Sequence, residues 1–160
     1  MKKVLFSLLA SVLVLASCGG PSPVAFNDAI TNANSVIMNV QSECQDAIAK
    51  SMENKDYSSI VAQTDSALAK IDAELAVVKA LEVPKGGDAF KEAAVKTYES
   101  LRSMVETGKK FSALNSESSE DDYNKIYKEY EGKMEESSKL FDELATAQMN
   151  YAKEAGYEVR

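Results

Sequence analysis

Side chains that could do chemistry gather in one short stretch of this sequence and are sparse elsewhere. Glu117, Glu120, Asp121 and Asp122 place four carboxylates within six residues, and Tyr123, Tyr127 and Tyr130 follow at spacings of four and three. Carboxylates at that density could hold a cation weakly or meet a basic partner. Tyrosines at helical spacing could form an aromatic wall for a ligand, or pack into a core. A calcium loop needs liganding oxygens at alternating positions and a closing Glu, which 117–122 does not offer. Acids are also favoured by the dipole at a helix amino terminus, so the cluster has a structural reading as well.

The residue types that are missing narrow the chemistry further. There is no His, and zinc, haem and di-iron sites in bundles draw on His, often as Glu-x-x-His on facing helices. Ser is abundant, but a nucleophilic Ser needs a base, and neither a Gly-x-Ser-x-Gly elbow nor a supported Ser-x-x-Lys motif is present. Gly86-Gly87 ahead of Asp88 lacks the Gly-Lys-Ser/Thr ending of a phosphate loop and reads as a helix stop before a new cap. No catalytic residue, metal site or cofactor is expected.

The elements that must position these residues are read from apolar spacing. Steps of three and four link Phe26, Ile30, Ala33, Ile37, Val40, Cys44 and Ala47, ending near Met52, which is one stripe on a helix. Pro23 suits its first turn and Ser22 its cap, and Asp46 with Lys50 forms an i,i+4 pair on the outer face. A second stripe runs Tyr57, Val61, Thr64, Leu68, Ile71, Leu75, Val78 and Leu81, stopping at Pro84. A third has Asp88 as cap and runs Phe90, Ala94, Thr97, Leu101, Met104, Gly108 and Phe111, with Glu92/Lys96 and Glu106/Lys110 outside. The fourth opens on Ser118 or Ser119 with Asp121 or Asp122 three residues on, a capping-box-like arrangement. Its stripe is Tyr123, Tyr127 with Ile126, Tyr130, Met134, Ser137, Phe141, Leu144, Gln148 and Tyr151, ending near Gly156.

No segment alternates with period two, so the expected fold is all-α. The spacing predicts helices over 25–53, 56–83, 88–114 and 119–155, forming one domain over 25–157, an antiparallel up-down-up-down four-helix bundle. A three-helix or elongated hairpin arrangement is the rival topology. In the bundle, Ile37, Ile71, Leu101 and Phe141 would meet in the middle, and Cys44, Thr64, Gly108 and Met134 nearer one end. That second layer is thin. Gly108 either allows close backbone approach, leaving a small cavity or a bend, or nearby Lys, Met and Phe side chains fill the gap.

The amino terminus has a different character. Lys2 and Lys3 precede an apolar run from Val4 to Leu15 that Gly19-Gly20-Pro21 ends, the build of a secretory signal. It stops short of the roughly 20 apolar residues a membrane-spanning helix needs. The next residues, Leu15-Ala16-Ser17-Cys18, resemble the lipobox of bacterial lipoproteins. That resemblance implies removal of residues 1–17 and makes Cys18 the first mature residue, carrying a thioether-linked diacylglycerol and an amide-linked fatty acid, with 18–24 as tether. Two or more acyl chains anchor stably where one does so only marginally. Gly19, in place of the Asp that marks inner-membrane retention, implies an outer-membrane destination, and the late first acid, Asp28, favours the periplasmic face. The mature region is similar to uncharacterised helical-bundle envelope lipoproteins of Gram-negative bacteria, which brings no activity with it.

Removing residues 1–17 leaves 16 basic against 25 acidic residues, a net charge of −9. That balance repels phosphate backbones, so no nucleic-acid partner is expected. With Cys18 acylated, Cys44 is the one remaining cysteine, a buried apolar position rather than a reactive thiol. Five residues from Cys18 reach the start of the first helix, about 17 Å at most. That end of the bundle would hang near the bilayer, with the 84–87 loop and the carboxyl end beside it and the acidic 117–122 loop at the free tip. The expected function is a lipid-anchored, non-enzymatic interaction or structural module with a protein partner. The alternative is a binder of a small apolar or lipid-like ligand between the helices.

Overall fold

A computed structural model of the chain describes residues 20–115 and 117–157, so Leu15, Ala16, Ser17 and Cys18 lie outside the described residues. Four long helices make up an all-α bundle, and among the described residues there is no strand. Helix α1 spans Pro23–Asn54. Extended Ser22 caps it, its Oγ accepting from the Ala25 N–H, and Pro23 sits at the first position, where a missing N–H costs nothing. The expected stripe is buried from Phe26 through Cys44, and then the buried positions are Ile48 and Ser51 rather than Ala47. A 3.6-residue turn carries the inward face forward by four at that point, and the larger Ile takes it.

Helix α2, Ile60–Ala80, is shorter at both ends than the expected 56–83. Asp56 Oδ1 accepts from the Ser58 N–H at 3.0 Å and holds a turn that keeps Tyr57 outside the helix. At the far end Leu81 is already extended, and Lys91 Nζ donates to the carbonyl oxygens of Lys79 and Leu81 at 2.8 and 2.7 Å, taking up groups that a continuing helix would have bonded. The inward residues are accordingly Ile60, Thr64, Ala67, Ile71, Leu75 and Val78, while Val61 is exposed and Leu68 half-buried.

Helix α3, Asp88–Lys109, begins after Gly87 rather than at an Asp88 cap. Asp88 lies in the first turn, where the helix dipole favours it. Gly86 makes the preceding turn at φ 82°, a left-handed conformation that suits glycine. The whole expected stripe from Phe90 to Gly108 is buried, together with Tyr98 and Val105 on one flank and Ser100 and Thr107 on the other. The segment expected to continue to 114 leaves α-geometry at Lys109 and tightens into a 3₁₀ turn, Lys110–Ala113, with Phe111 buried. Helix α4, Glu120–Ala155, starts on a capping box between Ser119 and Asp122 and ends at Gly156 in the left-handed conformation.

Cross-helix partners define the packing. Between α2 and α3, Asp65 pairs with Lys109, Asp72 with Arg102, and Lys79 with Glu99. Between α3 and α4, Thr97 Oγ1 reaches the Leu140 carbonyl oxygen at 3.0 Å and the Ser100 and Ser137 hydroxyls bond at 3.0 Å, and Lys110 of the 3₁₀ turn pairs with Glu129 of α4. Between α1 and α4, Tyr151 Oη donates to the Pro23 carbonyl, Gln148 to Asn27 and Thr31, Gln45 to the Met134 sulfur, and Tyr123 Oη to the Met52 sulfur. In each set, partners descend along one helix as they ascend along the other. The outer-face pair Glu92/Lys96 forms as expected, whereas Glu106 pairs with Arg102 and Lys110 with Glu129 in place of each other.

Of the expected middle layer, Ile37, Ile71 and Leu101 are wholly buried and Phe141 is half-buried against them. Truncating Leu101→Ala removes contacts from the helix that packs on all the others. Urea unfolding followed by circular dichroism is expected to show a loss of about 2–5 kcal/mol, and a loss under about 1 kcal/mol would mean that the centre of the bundle is not packed around this residue.

Candidate functional site

The acidic and aromatic residues singled out by sequence come together at the end of the bundle where α1 passes to α2 and α3 to α4. The turn before α4 is ordered by its own side chains: Ser118 Oγ accepts from the Asn115 N–H at 2.9 Å, and Asn115 Oδ1 from the Glu117 N–H at 2.8 Å. In the capping box, Ser119 Oγ accepts from the Asp122 N–H at 3.1 Å, and Asp122 Oδ2 accepts from the Ser119 N–H at 3.1 Å and from its hydroxyl at 2.7 Å. These bonds from Ser119 hold the Asp122 carboxyl below its usual pKa. Glu117, Glu120, Asp121 and Asp122 are all exposed.

The three tyrosines part company. Tyr130 is 4 % exposed, set edge-on to Phe111 at 5.8 Å, and its hydroxyl has no partner among the described residues. Tyr123 is half-buried, leans on Phe111 at 6.1 Å and donates its hydroxyl to the Met52 sulfur at 3.3 Å. Tyr127 stacks on Tyr123 with centroids 5.8 Å apart and planes 16° from parallel, and is 37 % exposed. Instead of one wall, the rings form a ladder that leads from the core to solvent. At its foot is a groove of about 380 Å³ lined by Met52, Lys55, Tyr57, Leu114, Ser119, Glu120 and Tyr123 among others. Partial burial, with Tyr127 and Tyr57 close by, raises the Tyr123 pKa.

Sequence reasoning placed Tyr57 in a helix and assigned no site role to Met52, Lys55 or Leu114. Asp56 followed by Ser58 and Ser59 was the usable signal, since Asp before Ser commonly closes a side-chain turn and would have put Tyr57 in the connection.

The thin layer around Gly108 is filled. A Cβ built on Gly108 would come within 2.8 Å of Ile48 Cδ1 and 3.2 Å of Tyr130 Cε2, so of the two expected alternatives the gap is filled rather than left as a cavity, by Ile48 and Tyr130 in place of Lys, Met and Phe side chains. Cys44, in the same layer, is buried, and desolvation pushes its thiol from 9.0 to about 11. Larger furrows lie on the surface between helices. One, of about 510 Å³ between α1 and α2, is lined by small apolar residues such as Val40, Cys44 and Ala67 together with Glu43, Lys50 and Lys70.

Among the described residues, no group of three or more Asp, Glu or Cys side chains is placed to hold a metal ion, and no helix is long and apolar enough to cross a membrane. No protein-family model, curated protein or solved structure matches this chain.

Two measurements probe this end of the core. Gly108→Ala gains about 1 kcal/mol of helix propensity but overpacks the layer at a cost of about 1–3 kcal/mol, so a net destabilisation of about 1 kcal/mol is expected by urea unfolding. Adding Ile48→Val removes the clashing methyl, so the double variant should lose less than the two single losses combined, and strict additivity would show that Ile48 does not fill the gap.

For Cys44 the sign of the pH effect follows from its raised pKa. The unfolded chain gives up the thiol proton at lower pH than the folded chain, so this contribution is fully present below the ordinary value of 9.0 and is lost as pH rises through about 11. Buried Tyr98 and Tyr130, both raised by burial, act in the same direction. In a Cys18→Ala chain, Cys44 is expected to resist an aromatic disulfide reagent at about pH 8 until urea unfolds the protein. The urea midpoint should fall as pH rises across that alkaline window, and rapid labelling of the folded chain would contradict the burial.

Proposed function

We propose that this chain is a lipid-anchored protein of the bacterial cell envelope, held at the periplasmic face of the outer membrane through acylated Cys18, and that it works as a non-enzymatic interaction or structural module. The observation that carries this reading is the run from Lys2-Lys3 through the apolar stretch to Leu15-Ala16-Ser17-Cys18. The short spacing from Cys18 to the bundle supports it. Ser22 caps α1, so four residue steps, about 14 Å at full extension, join the acylated position to a rigid rod.

Tyr151 bonds the Pro23 carbonyl, and Gly87 lies against Phe26, so the 81–87 connection and the end of α4 share that anchored end. On an antiparallel up-down-up-down reading, the 32 residues of α1 hold the acidic and aromatic tip about 48 Å further out. A bundle mounted this way presents its tip and flanks to a partner and keeps its apolar stripes buried.

A second reading, capture of a small apolar or lipid-like ligand between the helices, is favoured by the α1–α2 furrow, whose lining includes Val40, Cys44 and Ala67. The Gly108 layer offers no room for it, because Ile48 and Tyr130 are there.

The anchor is tested by intact-mass analysis of the chain recovered from membranes. The expected species begins at Cys18 and carries diacylglycerol plus a fatty acyl group, and Cys18→Ala should leave an unprocessed chain. Mature protein with a free thiol at position 18 would overturn the tether.

A further inference from the structure

Most aromatic rings of this bundle are buried, Phe26, Phe90, Tyr98, Phe111, Tyr130 and Tyr151 among them. Tyr57, Phe141 and Tyr157 are half-buried, and the Tyr123–Tyr127 pair is stacked with one ring 37 % exposed, beside a groove whose walls combine Met52, Tyr57 and Leu114 with polar residues that include Lys55 and Glu120. An exposed aromatic face next to a slot with apolar walls at Met52, Tyr57 and Leu114 and a carboxylate at Glu120 suits a long side chain with an apolar stem and a cationic head, because the ring quadrupole attracts the charge and the apolar walls cover the methylenes.

The charge around the groove selects the same occupant. Across residues 53–57 and 117–125, six carboxylates stand against two lysines, Lys55 and Lys125. Among the described residues none of these eight forms an ion pair, whereas the nearby Lys109 and Lys110 are already committed to Asp65 and Glu129. The tip therefore carries a local excess of four negative charges, with Lys125 offsetting Asp122 in part without a close ion pair. Hydrogen bonds from Ser58 and Ser119 hold the Asp56 and Asp122 carboxyls below their usual pKa.

We infer that the tip groove is a docking site for a basic segment of a protein partner, with an arginine or lysine laid across the Tyr123–Tyr127 pair and its neighbours in sequence met by Glu117, Glu120 and Asp121. This rests on reading the chain as an interaction module and names the kind of partner that module takes. Steering by the unpaired carboxylates raises the encounter rate, and the aromatic slot confers preference for one side chain over diffuse attraction.

The test is a titration of the purified full chain, ¹⁵N-labelled in neutral detergent, with hexa-arginine peptide, and in separate arms with hexa-glutamate peptide and with calcium chloride. Hexa-arginine is expected to shift the amides of Tyr57, Glu120, Tyr123 and Tyr127 while leaving Gly86 and Lys153 at the opposite end unmoved. Tyr127→Ala should weaken binding about fivefold, the share of a partly exposed cation–π contact.

Neutralising Glu117→Gln, Glu120→Gln and Asp121→Asn together should weaken binding about tenfold or more. A matched triple on the outer face of α4, Glu131→Gln, Glu135→Gln and Asp142→Asn, should change it less than about twofold. Retained helical circular dichroism checks that each variant folds. The proposal is overturned if the two triples weaken binding alike, if the shifts spread over the whole acidic surface, or if calcium moves the tip amides and the peptide does not. Binding is read whether or not Cys18 is acylated. A chain that binds hexa-arginine but carries no acyl group keeps the tip site and loses the tether, and an acylated chain that ignores the peptide does the reverse.

Discussion

Burial of α3 on both of its flanks is the constraint on which the rest of the bundle depends. A surface helix hides one stripe, but α3 also hides Tyr98 and Val105 on one side and Ser100 and Thr107 on the other, so three helices can bury their own stripes against it. The price is that polar side chains enter the interior and must find partners there. Thr107 bonds back to the Ser103 carbonyl, Ser100 meets Ser137, and Tyr98 donates to the Ile30 carbonyl across the diagonal.

The seams around α3 follow from residue size. Where Ser100 meets Ser137 and Gly108 admits Tyr130, small groups let α3 and α4 approach closely. Along α1 and α4 the bridging groups are long, Gln148 to Asn27 and Thr31 and Gln45 to Met134. That seam is spanned in its middle by amides and a thioether and is closed at the α1 start by the Phe26–Tyr151 contact. Exposed ion pairs decorate the α2–α3 rim, where solvent screening leaves each worth little. Apolar burial sets the stability, and the charges set where the surface is neutral and where it is not.

The two ends of the bundle are built differently. At the α1 start, Phe26, Phe90, Tyr151 and Tyr157 pack edge to face or stacked at 5.4–6.0 Å and close the core. At the other end the aromatic ladder from Tyr130 through Phe111 and Tyr123 runs outward to Tyr127, and the carboxylates beside it outnumber the lysines and form no close ion pairs among the described residues. One end is finished as a packing problem, and the other leaves an aromatic surface and net charge in solvent.

What the residue order determined by itself was local. Steps of three and four residues mark a helix wherever they occur, Ser22 before Pro23 and Ser119 before Asp122 cap one, and Gly156 ends one, because each depends only on residues within a turn or two. Those features located four helices and most of their inward positions, and they placed the acidic cluster and Tyr123 at a helix start. Packing between distant segments decided the rest. Whether Ile48 or Ala47 turns inward, whether Tyr130 enters the core while Tyr127 leaves it, and whether Tyr57 lies beside Tyr123 all depend on which helix stands opposite. No spacing along one strip of chain encodes that, since the second flank of α3 and the tip groove exist only once segments sixty residues apart have met.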